Sequence, residues 1–310
     1  MLKPKQLEIK VANSGYYSGF NKVVTFGAMI ALIIFTIWVV LKPQNASEIL
    51  SVIQTDTVHY FSAWYMYITF FFVIVCLSLA VIPKSGAVRL GRTKEKPEFS
   101  NFSWFSMMFG AGIGVGMMTY STAEPIFHFA NNPDVIKGLV EGQSAENVRY
   151  AYKWAAFHYA LTPWACYGIV GLSLGYFAYN KGLPLTIRSG LFPVFGNRLN
   201  GTYGHIVDIV AIIATISGVG VTIGFGVSQF AAGIFNISGA EWISDASGKP
   251  TLTAQLIALV IIMLASTLSA ASGVKRGIKW LSNINMIFSI LLLSFFVFFG
   301  ATLFAFKSFF

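Results

Sequence analysis

Charge is what this sequence has least of. Only 11% of its 310 residues are Asp, Glu, Lys or Arg, against about 25% in ordinary soluble domains. A soluble body of this size needs more polar side chains to cover its surface, whereas a chain solvated by lipid does not. Cysteine is nearly absent as well. Cys76 and Cys166 both lie in apolar runs, so the expectation is two buried free thiols, with no disulfide framework and no cysteine metal spacing. No carboxylate pair, metal-ligand cluster or nucleophile beside a base can be found in motif spacing, which leaves enzymatic chemistry without a constellation to rest on. The polar, slightly basic stretch from Met1 to Asn21 lacks the apolar core and small-residue cleavage site of a removable signal peptide.

What the chain has in abundance is apolar. Hydrophobic residues make up 55% of it, with 29 Phe. Runs near the roughly 20 residues a spanning helix needs recur at 23–41, 61–82, 102–129, 153–178, 206–235, 252–271 and 281–305. The expectation is therefore an all-α integral membrane protein of about seven spans, in which the long third, fourth and fifth runs tilt, kink or break. The connection from Asn180 to His205, with Pro184, Gly190 and Pro193, reads as a surface loop with a short interfacial helix.

The net charge of +9 does not point to nucleic acid, because the basic residues sit in short loops between spans. Lys3, Lys5, Lys10 and Lys22, then Lys84, Arg89, Arg92, Lys94 and Lys96, then Lys181, Arg188 and Arg198, then Lys275, Arg276 and Lys279 all fall on one side if seven spans alternate. The positive-inside bias then places the N-terminus in the cytoplasm and Phe310 outside. The expected organisation is a tail over 1–22, two spans and a basic loop over 23–101, and five spans over 102–306.

Two segments stand out chemically. The third run carries Gly110, Gly112, Gly114 and Gly116 at alternate positions. Each glycine costs up to about 1 kcal/mol in a helix interior, so this stretch is expected to unwind or thin. Freed backbone at membrane depth is tolerated beside a cavity or inside protein, where its carbonyls can coordinate a cation. The alternative is close helix packing through the Gly112/Gly116 pair. A dinucleotide fingerprint is excluded, since Val115 and Met117 stand where its third glycine belongs. In the fourth run, Pro163 is expected to bend the helix, with Tyr159, Trp164 and Tyr167 on one broad arc. Aromatic faces attract a cation that has no N–H to donate; an interfacial belt or core packing is the alternative. Glu124, His128, Lys153, His158 and Asp208 fall near span ends, where a charge can reach water. Thr215, Ser217 and Thr222 give the fifth run hydroxyls that suit packing or an ion.

Four stretches together resemble the betaine/carnitine/choline transporter family: Gly110–Met118 followed by Ala123-Glu124-Pro125, Pro163–Phe177, Asp208–Gly218 and Ser272–Met286. The resemblance implies twelve spans, two N-terminal ones followed by two five-helix repeats of opposite topology in a LeuT-type fold. It implies secondary active transport of glycine betaine, choline or carnitine. Gly112, Gly114 and Gly116 would line the substrate site, and Tyr159, where a Trp is common, would form an aromatic box with Trp164 and Tyr167. Where the family couples to sodium, the backbone at Gly110 and Ile113 would supply ligands to one ion and the side chain of Thr215 would serve a second. A second family threonine is Val219 here, which leaves proton coupling and exchange as alternatives. A homotrimer is implied by the resemblance alone, with the lipid bilayer and a trimethylammonium solute as partners. The resemblance ends with the seventh span at Phe310, so the second repeat is absent and an incomplete chain is expected. A non-transporting membrane fragment and a LeuT-type amino-acid carrier are the competing readings.

Overall fold

The computed structural model describes residues 7–91, 96–303 and 306. Lys3, Lys5, Arg92, Lys94 and Lys307, and the last two residues of the run expected over 281–305, lie outside them. The described residues form helices joined by turns, with only isolated bridges of β type. The longer helices are α1 (Lys22–Leu41), α2 (Pro43–Val81), α3 (Asn101–Gly112), α4 (Val115–Ala130), α5 (Asn147–Tyr159), α6 (Thr162–Gly175), α7 (Ile187–Phe195), α8 (Thr202–Ser238), α9 (Leu252–Ala271) and α10 (Lys279–Phe299).

Among the described residues, five helices are long and apolar enough to cross a membrane: α1, α2, α8, α9, and α10 together with the turn from Val274 that leads into it. Counting the bent pair α3 and α4 as one span makes six. The expected fourth span differs most. It is divided at Ala160-Leu161 into α5 and α6, of 13 and 14 residues. Pro163 does not bend one long helix. It sits in the first turn of α6, where its missing N–H costs nothing.

The second span also differs, because α2 starts at Pro43 and runs for 39 residues. No Gly or Pro occurs from Gln44 to Ile82. Polar residues such as Gln54 and Asp56 lower the hydropathy of the first half without stopping the helix. At 1.5 Å per residue it is roughly 58 Å long, about twice the hydrocarbon core.

The chain divides into two compact units, residues 1–95 with 127–218, and residues 96–126 with 219–310. In the first, α2 packs on α6 through small residues. Cys76 Sγ lies 3.6 Å from the Ala165 carbonyl, and a Cβ on Gly168 would stand 3.3 Å from that sulfur. Both cysteines are half-buried, not fully buried as expected. The interfacial helix expected between Asn180 and His205 is α7, and it is seated firmly. Phe192 joins Leu7, Leu183 and Leu199 in a small core, so Leu7, ahead of α1, packs against it.

In the second unit α3 lies along α10. Ser103 and Ser106 are buried on α3, and Asn283 Nδ2 donates to Ser103 Oγ at 3.2 Å. A second cluster joins Ala231 of α8, Ile243 and Ala254 of α9. Most large apolar side chains elsewhere are exposed, which suits helices whose outer faces meet lipid.

Candidate functional site

The glycine run breaks the helix as expected. α3 ends at Gly112, where the N–H of Ile113 still bonds the Phe109 carbonyl at 2.7 Å. Ile113 then leaves helical geometry at φ −99°, ψ 84°, and α4 begins at Val115. The axis turns by 51° across the break. The last carbonyls of one helix and the first N–H groups of the next therefore meet at one point, partial negative charge beside partial positive. Gly110, Gly112 and Ile113 belong to the carbonyl end, and Gly116 to the first turn of α4.

Two of the glycines stand at ordinary packing distance from their neighbours. A Cβ on Gly110 would stand 3.6 Å from Ser282 Oγ and 3.8 Å from Asn285 Nδ2, and one on Gly114 would be 3.7 Å from Thr222 Cγ2. These contacts fall at Gly110 and Gly114, not at the Gly112/Gly116 pair, and at distances that a methyl group could occupy, so the break is what the structure shows of this run.

The aromatic segment belongs to the first unit. Tyr159 is the last residue of α5, and Trp164 and Tyr167 occupy the first two turns of α6. The indole Nε1 of Trp164 donates to the Tyr159 carbonyl at 3.0 Å, so Trp164 closes the C-terminal end of α5 across the break. The Trp164 and Tyr167 rings are 6.3 Å apart at 43°. Tyr167 is 65% exposed and Trp164 37%, which leaves ring surface open to a ligand. Tyr159 turns to His158, its ring 4.5 Å away. The structure therefore pairs Trp164 with Tyr167 and connects Tyr159 to them through its backbone.

Thr215 lies on α8, where its hydroxyl donates to the Ala211 carbonyl at 2.7 Å. It lines a cavity of about 650 Å³ with Val24 of α1, Leu174 of α6, and Thr186, Asp208 and Ile212. None of the three aromatics is in that lining.

Two polar sites escaped sequence reasoning. Arg188, counted as a loop cation, is fully buried on α7. Its Nε donates to Asp208 Oδ2 at 2.7 Å, its Nη1 to the Leu199 carbonyl at 3.2 Å, and its backbone N–H to Asp208 Oδ1 at 3.3 Å. The second is Asp134, in the short turn after α4. Its carboxylate accepts from Lys153 Nζ at 2.5 Å and from Trp154 Nε1 at 2.7 Å. Those two bonds, Lys153 first, hold the Asp134 carboxyl below the usual carboxylate range. The Lys153 ammonium also stands 4.7 Å from the Tyr150 ring centre and 5.0 Å from that of Trp154. The one sequence signal for this group was the spacing of Tyr150, Lys153 and Trp154, which puts them on one helix face. No group of three or more His, Cys, Asp or Glu fit to hold a metal ion occurs among the described residues.

The family model for betaine/carnitine/choline family transporters matches residues 23–310. An osmo-dependent choline transporter of Acinetobacter baylyi is 37% identical over 290 residues, 91% of this chain and 39% of that protein. A high-affinity choline transport protein of Escherichia coli is 42% identical over 246 residues, covering 79% and 34% of the two chains. A glycine betaine transporter of Vibrio parahaemolyticus is 42% identical over 222 residues, covering 72% and 40%. The chain thus spans between a third and about two fifths of the length of these relatives.

Proposed function

The chain belongs to the betaine/carnitine/choline transporter family, and from that premise we propose that it is part of a secondary active carrier for quaternary-ammonium solutes. Glycine betaine, choline and carnitine share a trimethylammonium head with no N–H. Hydrogen bonding cannot recognise that head, and an aromatic face can. The observation that carries the reading is the Trp164–Tyr167 pair, whose rings lie together at the start of α6 with surface open to a ligand. The indole is fixed by its bond to the Tyr159 carbonyl, so little side-chain freedom is lost when a cation docks.

The coupling ion is a separate matter of backbone. The carbonyl end of α3, from Gly110 to Ile113, suits a small hard cation such as sodium. Thr215, which still has lone pairs to offer after donating to Ala211, would serve a second, separate ion. In this reading the chain is a carrier and not an enzyme, with its N-terminus in the cytoplasm. Its two N-terminal helices precede the first five-helix repeat of a LeuT-type fold, and it assembles as a trimer in the plasma membrane.

The test is uptake of labelled choline and glycine betaine, with and without a sodium gradient, in cells lacking their own carriers and expressing the chain from its own gene. Trp164→Ala is expected to cut uptake about tenfold or more, in line with the roughly 2 kcal/mol of a desolvated cation–π contact, and Trp164→Phe to keep most of it. Unchanged uptake in Trp164→Ala, at equal membrane abundance, would sink the reading.

A further inference from the structure

The group around Asp134 has the composition of a cation site already filled by the protein itself. An anionic oxygen and two ring faces converge on one point, and the ammonium of Lys153 occupies it. We infer that Asp134, Tyr150 and Trp154 form a second docking site for the trimethylammonium group of a solute, with Lys153 as a tethered competitor that must swing aside to admit it. This rests on the quaternary-ammonium reading above for its ligand class, but not on the Trp164 site.

The frame of the site does not depend on Lys153. Asn132 Oδ1 accepts from the backbone N–H of Asp134 and of Val135, at 2.9 and 3.1 Å, which fixes the turn carrying the carboxylate. Asn132 in turn donates to Asn147 Oδ1 at 2.7 Å, and both amides are essentially buried. That bond ties the turn to the first residue of α5. The Trp154 indole donates to Asp134 independently of the lysine, so ring and carboxylate keep their mutual placement. The Phe157 ring, 5.8 Å away and edge-on, supports the indole from the next turn. Against this rigid surround, the Lys153 side chain is 48% exposed and hangs on four rotatable carbons. It is the element that can leave.

The chemistry matches a trimethylammonium head better than a metal ion. A sodium ion needs several oxygens in a shell, and here rings take most of the surface. A trimethylammonium group gains from both faces and from the nearby charge without needing an N–H. Lys137 adds a further cation in the neighbourhood of Asp134, which disfavours a doubly charged guest. The competition has a definite sense: a tethered ammonium acts at a millimolar effective concentration or above, so the wild-type site is weak and removing the tether strengthens it.

The experiment follows thermal unfolding of the purified full chain in detergent while tetramethylammonium chloride is titrated, with sodium chloride at equal ionic strength as control. Lys153→Ala is expected to show a saturable rise in Tm, half-maximal at a tetramethylammonium concentration about tenfold or more below any response of the parent. Adding Asp134→Asn should abolish the new response, and adding Trp164→Ala should leave it. If Lys153→Ala does not fold, Lys153→Gln carries the same comparison. Identical tetramethylammonium responses in the parent and in the lysine variant, or a response that survives Asp134→Asn, would reduce the group to a structural clasp and overturn the proposal. Loss of the new response with Trp164→Ala but not with Asp134→Asn would assign it to the aromatic pair of α6 and likewise overturn the proposal.

Discussion

Arg188 carries a heavy demand for one residue. Its guanidinium is fully buried, and what makes that tolerable is the Asp208 carboxylate at 2.7 Å together with the Leu199 carbonyl. Removing one partner of a buried pair leaves the other charge uncompensated, typically at a cost of about 3–5 kcal/mol, whereas replacing both by apolar groups is often neutral. Arg188→Met is therefore expected to lower thermal stability in detergent severely, and Arg188→Met with Asp208→Leu to recover most of the loss. Equal destabilisation by the single and double variants would show that the pair contributes nothing beyond packing. Neither this pair nor Asp134–Lys153 was legible in the sequence. Their partners stand 20 and 19 residues apart, and each charge read singly looks like an ordinary loop or span-end residue. The glycine break and the Trp164–Tyr167 pair were legible, because local backbone cost and local helical spacing decide them.

At the scale of elements, the same distinction governs the helices. The sixth run was legible to the residue as α9, since Thr251 caps it by accepting from the Ala254 N–H and its apolar run ends where the helix does. The start of α2 was not, because hydropathy measures lipid affinity while helix continuity depends on the absence of breakers. Packing between elements was also invisible until α2 and α6 came together. There Gly168 accommodates Cys76, with an added Cβ expected 3.3 Å from Sγ, tighter than ordinary contact. Gly168→Ala should therefore cost about 1–3 kcal/mol through overpacking, less any gain in helix propensity. Cys76→Ala removes the sulfur that the new methyl would meet, so the double variant should be more stable than Gly168→Ala alone. A double-mutant cycle on Tm measures this coupling, and strict additivity would refute the steric account.

For the molecule as a whole, the number of spans matters less than which connections share a side. The division of the fourth run into α5 and α6 does not alter the order in which connections alternate, provided both halves together traverse the bilayer once. On that condition the basic segment holding Arg198 and the tail ahead of α1 lie on one side, and the connection between α8 and α9 lies on the other. The latter is a tight turn in which Asp245 Oδ1 accepts from the backbone N–H groups of Ser247 and Lys249 at 2.8 and 3.0 Å, so an added thiol there stays in water. With Cys76 and Cys166 replaced by Ala, a single cysteine at Ser247 should react in intact cells with a membrane-impermeant maleimide. One at Asn197, in the turn after α7, should react only after permeabilisation. The opposite pattern would mean either that the orientation given by the Lys and Arg bias is inverted, or that α5 and α6 enter and leave on the same face, leaving the tail and Arg198 on opposite sides. Labelling of both from outside would mean that α8, which separates the two positions, does not cross the bilayer.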